Sequence, residues 1–130
     1  MVQWSRSFRG RPEQIAQARQ FVALVLGARP VVDLAELVVS ELATNAIRYS
    51  CSGLCDGWFV VSVDLDPPDR VQVSVTDLGG DGDPVVISAA RDAEFGRGLA
   101  LVERVAKEWG SEPTDLGRRV WADLGLDDGS

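Results

Sequence analysis

The chain contains no histidine. That absence excludes imidazole general bases, phosphohistidine intermediates and histidine-ligated metals. Cysteine is scarce too: Cys51 and Cys55, in CSGLC, are the two thiols. A structural zinc takes about four Cys or His ligands, so two are too few. The pair is open to a disulfide or to two reduced thiols, and a cytosolic setting favours the thiols. Long apolar runs are missing, and nothing approaches the ~20 residues of a membrane span. The N-terminal MVQWSRSFRGRPEQ has no apolar core of a signal peptide. The expectation is a cytoplasmic protein with no membrane association. Positive charge is in deficit, with 13 Lys and Arg against 20 Asp and Glu and a formal net charge of −7. Phosphate-backbone binding needs clustered Lys and Arg, so no nucleic-acid partner is expected.

What is present suits one domain over residues 1–130. Hydrophobic residues make up 45% of the chain, enough for a core. Val2, Trp4 and Phe8 alternate with polar residues and predict a first strand over 2–9. Pro12 suits the first turn of a helix. Ile15, Ala18, Phe21, Val22 and Val25 then recur at helical spacing until Gly27. A second helix begins near Pro30 to Asp33 and runs to Tyr49. The glycines and small residues of 51–57 make a loop. WFVVSVDL and DRVQVSVTD predict two strands joined by a PPD turn. DLGGDGDP is a glycine-rich loop, and residues 84–95 have no clear period and look mobile. GRGLALVERVAKEWG predicts a third helix, with Leu99, Val102, Val105 and Ala106 facing the core. RRVWADL predicts a last strand, before a frayed tail. The order β-α-α-β-β-α-β implies a two-layer α/β sandwich, a small mixed sheet covered by three helices.

The second helix holds a puzzle. At about 100° per residue, Leu34, Val38, Leu42 and Tyr49 form an apolar arc, extended by Ala35, Val39 and Ala46. Asn45 falls inside that arc. Glu41 lies at its edge near Arg48, and Glu36, Ser40 and Thr44 take the far, solvent side. A carboxamide in a core arc costs about 1–3 kcal/mol unless its hydrogen bonds are met. One reading has Asn45 bonding nearby backbone while Glu41 pairs with Arg48 or water. The other has both lining a cavity, where the carboxamide oxygen binds a hard cation such as Mg²⁺ and the carboxylate orients or deprotonates a nucleophile. The helix alone does not decide.

Two glycine motifs follow. Asp77 ends a strand, and Gly79, Gly80 and Gly82 crowd the next loop. That is either an acidic surface turn or a place where backbone comes close to a ligand. Gly96, Arg97 and Gly98 open the third helix. They make either a flexible helix entry or an anion site of bare N–H groups and a guanidinium. No Walker A loop and no dinucleotide fingerprint is present.

Taken together, the E-x-x-x-N helix, the strand-ending D-x-G loop and the G-x-G-L helix start resemble the histidine-kinase-like ATPase superfamily, whose nucleotide fold is the Bergerat α/β sandwich. The nearest likeness is to its small members, the anti-sigma-factor serine kinases and similar short actinobacterial ATP-binding proteins. ELVVSELATNAIRYS looks like their N-box, VTDLGG like the first glycine box and FGRGLALVERVAKEWG like the second. GRRVWADL looks like their closing strand. The resemblance covers nearly the whole chain. It implies that ATP and Mg²⁺ are bound, with Asn45 ligating the metal and Glu41 acting as catalytic base. It further implies that Asp77 accepts the adenine amine beside Gly79, and that Gly96, Arg97, Gly98 and Leu99 form the phosphate lid and its hinge. The chain departs from the pattern at Tyr49, where many relatives carry His, and at Arg119, where they carry Thr or Ser near the adenine. The glycine box reads DLGGDG rather than a clean D-x-G-x-G.

Two functions of different class follow from the resemblance. One is a serine-protein kinase and anti-sigma factor that phosphorylates an anti-anti-sigma-type antagonist. The other is a nucleotide-gated module that sequesters a sigma factor with little turnover. Glu41 favours the enzyme, since a pure binder has no need of it. A detached histidine-kinase catalytic domain is a third option, disfavoured by the short chain. A homodimer is implied by the resemblance alone.

Overall fold

A computed structural model of the chain describes residues 2–49, 57–66, 70–77, 99–115 and 117–126. The Cys51–Cys55 loop, the PPD turn, the glycine loop with Gly79, the stretch 84–95, the Gly96–Arg97–Gly98 motif and residues 127–130 of the tail lie outside these. The elements are β1 (Val2–Arg9), α1 (Gln14–Leu26), α2 (Val32–Tyr49), β2 (Trp58–Asp66) and β3 (Arg70–Asp77). A helix α3 over 99–105 follows, then β4 (Glu108–Pro113) and β5 (Arg118–Leu126).

The five strands form one sheet in the order β1-β2-β3-β5-β4. Every pairing is antiparallel, so the expected mixed sheet is corrected to an antiparallel one. The cause is β4. A strand that followed α3 directly would run back parallel to β3. Because the chain instead turns through β4 first, β5 arrives antiparallel to β3. The third helix is correspondingly shorter than expected. It ends at 105, and the Lys107 N–H donates to the Asp123 carbonyl (2.8 Å), steering the chain onto the sheet. EWGSEP carries one large apolar residue and no alternation, so nothing in it announces a strand. Pairing with β5 makes it one, with Trp109 opposite Ala122 and Gly110 opposite Trp121.

The core lies between the helices and one sheet face. Alternation along β2 and β3 buries Phe59, Val61, Val63, Val71, Val73 and Val75, as the period of two requires. Against them pack Ala18, Val22 and Leu26 of α1, Val38, Val39 and Leu42 of α2, and Leu99 and Val102 of α3. Each fully buried Val, Leu or Phe is worth about 1.5–3 kcal/mol. The expectation for β1 holds only at one end. Phe8 is buried, stacked on Phe59 (5.5 Å between centroids) and edge-on to Phe21 of α1. Val2 and Trp4 share its parity, yet stand 52% and 53% exposed. Gly27 closes α1 at φ 62°, its N–H bonded to the Ala23 carbonyl, which is the conformation glycine adopts without strain.

The β3–β5 pair is locked at the end remote from Asp77. A bulge falls between Val71 and Gln72, and Gly125 takes φ 81°. Asp123 is buried there. It accepts from Arg70 Nε (2.9 Å), from a second Arg70 nitrogen and from the Gly125 N–H (2.8 Å). Burial pushes the Asp123 carboxyl up. The Arg70 hydrogen bonds, the Gly125 N–H and the charges of Arg70 and Lys107 outweigh burial and hold it below the usual carboxylate range.

Candidate functional site

Helix α2 packs on β3 and on α1. It carries Asn45 into the buried layer, as the apolar arc predicts: the residue is 6% exposed. Its Nδ2 is buried and has no hydrogen-bond partner among the described residues. An unpartnered buried polar group costs about 1–3 kcal/mol, and native proteins hold few of them. The reading in which Asn45 simply bonds nearby backbone therefore fails for this atom. A flip of the amide would put its oxygen at the same point. Either way, one end of the carboxamide is left without a partner among the described residues.

Glu41 sits one turn earlier on α2. It is half-buried, and it makes no hydrogen bond or ion pair with a described residue. The side chains of Arg48 and Tyr49 lie outside the described part, so an Arg48 pairing is not assigned. The expected solvent side of α2 needs correction. Glu36, Ser40 and Thr44 are half-buried, and the exposed positions are Asp33 and Leu37. Ser40 Oγ donates to the Glu36 carbonyl (2.9 Å) and Thr44 Oγ1 to the Ser40 carbonyl (2.7 Å). Short hydroxyls satisfied by their own helix tolerate such positions.

Asp77 is the last residue of β3, half-buried and engaged in a contact of its own. Its neighbours across the sheet are Phe59 on β2 and Arg118 on β5. Parity places Asp77 on the helix side with Val71, Val73 and Val75, and Arg118 on the same side with Val120 and Ala122. Arg119 therefore lies on the opposite face. There Nη1 donates to Glu112 Oε1 (3.0 Å) and Nη2 to Gln72 Oε1 (2.8 Å). The residue paired with Asp77 across the sheet is Arg118, while Arg119, the position where the resemblance puts a Thr or Ser, faces the other way. The signal was present in RRVWADL: if Val120 and Ala122 face the core, so does Arg118.

Leu99 opens the described part of α3 and is 2% exposed, a core residue at the root of the G-x-G-L motif. Gly79, Gly96, Arg97 and Gly98 lie outside the described residues. Among those described, no group of three or more Cys, Asp or Glu could hold a metal. A cation at Asn45 would take its remaining ligands from water and from a bound ligand, as Mg²⁺ does with phosphates. The unpartnered atom as placed is Nδ2, an N–H donor, so the amide oxygen takes that position only with the carboxamide flipped.

An antiparallel sheet roofed by helices makes a two-layer α/β sandwich, and α2, which carries Asn45, packs on its central strand. Over residues 8–123 the sequence matches the family described as histidine kinase-like ATPase domain, and the chain belongs to that family. A search of the curated proteins finds no match. The family points to ATP as the ligand and to ATP-using chemistry. No described helix is long and apolar enough to cross a membrane.

Proposed function

We propose that the chain is an ATP-dependent protein serine kinase that regulates transcription, phosphorylating a small antagonist of the anti-anti-sigma type and so controlling a sigma factor. The observation that supports this most is the buried amide of Asn45, one turn from the half-buried Glu41 carboxylate, neither the amide nitrogen nor the carboxylate having a partner among the described residues. In this reading Asn45 holds Mg²⁺ through its amide oxygen. Asp77 accepts the adenine amine, and Gly79 lets the backbone approach the ring. Gly96, Arg97 and Gly98 close over the phosphates, with the buried Leu99 anchoring their hinge. Mg²⁺, when bound, neutralises charge on the phosphate oxygens. Glu41 takes the proton of the incoming serine hydroxyl as its oxygen bonds the γ-phosphorus. The bond from that phosphorus to the bridging oxygen breaks, and ADP leaves.

The test is phosphate transfer from ATP to a purified antagonist of this type, read by mass spectrometry on the acceptor serine. Transfer that requires Mg²⁺ and Glu41 supports the kinase. ATP-dependent capture of a sigma factor with no transfer to any antagonist overturns it in favour of a nucleotide-gated binding module.

A further inference from the structure

We propose that the edge of β1 facing away from β2 is a docking site for an extended acidic segment of a partner protein, which joins the sheet as a further strand. Strand β1 lies at one margin of the sheet, and no described strand pairs with its outer edge. An edge strand turns alternate N–H and C=O groups outward, where they can bond another strand. The opposite margin is guarded. Strand β4 has six residues, with Glu108 and Glu112 along it and Pro113 at its end, and charges, proline and short length all discourage strand addition. Strand β1 has eight residues and contains neither proline nor an acid. It carries none of the residues assigned to ATP.

Val2, Trp4 and Arg6 follow one another on the helix side of β1, by the same parity that buries Phe8. All three are exposed. Val2 and Trp4 offer apolar surface beside the edge. The Arg6 guanidinium lies over the Phe8 ring, 4.9 Å from its centroid, and meets no carboxylate among the described residues. Charge selects the partner. Residues 1–12 hold three arginines and no Asp or Glu, in a chain of net charge −7. A second copy of β1 would bring no carboxylate, so self-pairing offers Arg6 no counter-charge. A strand with a carboxylate beside Arg6 and an aliphatic residue beside Trp4 matches both. On one face of a strand those positions are two residues apart. The fitting segment therefore places Glu or Asp two residues from Val, Ile or Leu. Cross-strand pairs of these kinds favour association modestly, and main-chain bonds supply the rest.

The experiment titrates blocked synthetic peptides into the isotope-labelled full chain and follows its amide NMR shifts. One peptide is Thr-Glu-Thr-Val-Thr-Glu-Thr-Val-Thr, and a second replaces each Glu with Lys. The Glu peptide should shift amides along β1 and bind about fivefold or more tighter than the Lys peptide, a preference that shrinks at about 1 M salt. Arg6→Glu, a change at an exposed position, should reverse the preference. The Glu peptide is also N-methylated at its Thr residues, and separately at its Glu and Val residues. One set should abolish binding and the other spare it, because alternate amides face the sheet. Absence of β1 shifts, equal binding of the Glu and Lys peptides, or equal binding of the two methylated sets overturns the proposal. So do β1 shifts that follow protein concentration alone, which assign the edge to a second copy.

Discussion

Gly110 of β4 sits directly beneath the indole of Trp121 on β5. A Cβ at position 110 would stand 2.7 Å from Trp121 Cζ2 and 2.9 Å from Cε2 and Nε1. The two residues are partners across the last strand pair, so the absence of a side chain at one makes room for the ring of the other. Gly110→Ala should therefore destabilise the domain by about 1–3 kcal/mol, the usual cost of overpacking. Chemical denaturation followed by Trp fluorescence measures it. An unchanged midpoint would mean that the ring moves aside freely.

Two residues along β5 from Trp121, Asp123 forms a pH-dependent lock. Asp123 is held below its unfolded value of about 3.9. A depressed carboxyl contributes stability that is present above the unfolded pKa and is lost as pH falls through the folded pKa. Asp123→Asn should cost about 1.5–3 kcal/mol at neutral pH, the range for hydrogen bonds to a charged group. The gap between wild type and variant should be flat from about pH 8 to 5 and should narrow below about pH 4. Denaturation midpoints across that range provide the check, and a gap that widens in acid would contradict it.

Much of this architecture was legible from the residues. The valines of β2 and β3 alternate cleanly, and the period alone identifies their buried faces. Asn45 stood out because a carboxamide interrupted an otherwise apolar arc. Three features were hidden, each for a physical reason. Strand β4 has no pattern of its own and exists because β5 offers it an edge. The antiparallel sense of the sheet depends on that unread strand. The exposure of Val2 and Trp4 is decided by where the helical layer ends, which no periodicity in β1 encodes. The facing of Arg118 was within reach of parity reasoning, since a shift of one residue on a strand exchanges the faces.

Substitution of Glu41 separates chemistry from binding in the proposed kinase. Glu41→Gln nearly preserves shape while removing the ability to accept a proton. ATP affinity should stay within a few-fold, since neither Asn45 nor Asp77 is altered. Phosphate transfer to an antagonist should fall by roughly 10²–10⁴. Transfer at the wild-type rate would show that Glu41 is not the base.

Base selectivity tests the Asp77 end of the site. ATP and ADP should bind well. GTP, which turns a carbonyl toward the carboxylate, should be rejected by several orders of magnitude, because buried polar groups would be left unpaired. Comparable calorimetric affinities for ATP and GTP would contradict the assignment of Asp77.

The central claim is that the buried amide of Asn45 completes an ATP site that depends on Mg²⁺. Its most direct test is calorimetric titration of ATP into wild type and Asn45→Ala, each with and without Mg²⁺. Wild type should bind ATP markedly more tightly with the metal than without it. Asn45→Ala should lose most of that difference, yet should be no less stable than the loss of a few packing contacts implies, because the amide nitrogen it removes has no partner among the described residues. A wild type indifferent to Mg²⁺, or an Asn45→Ala variant that keeps the full metal-dependent gain, would contradict the account.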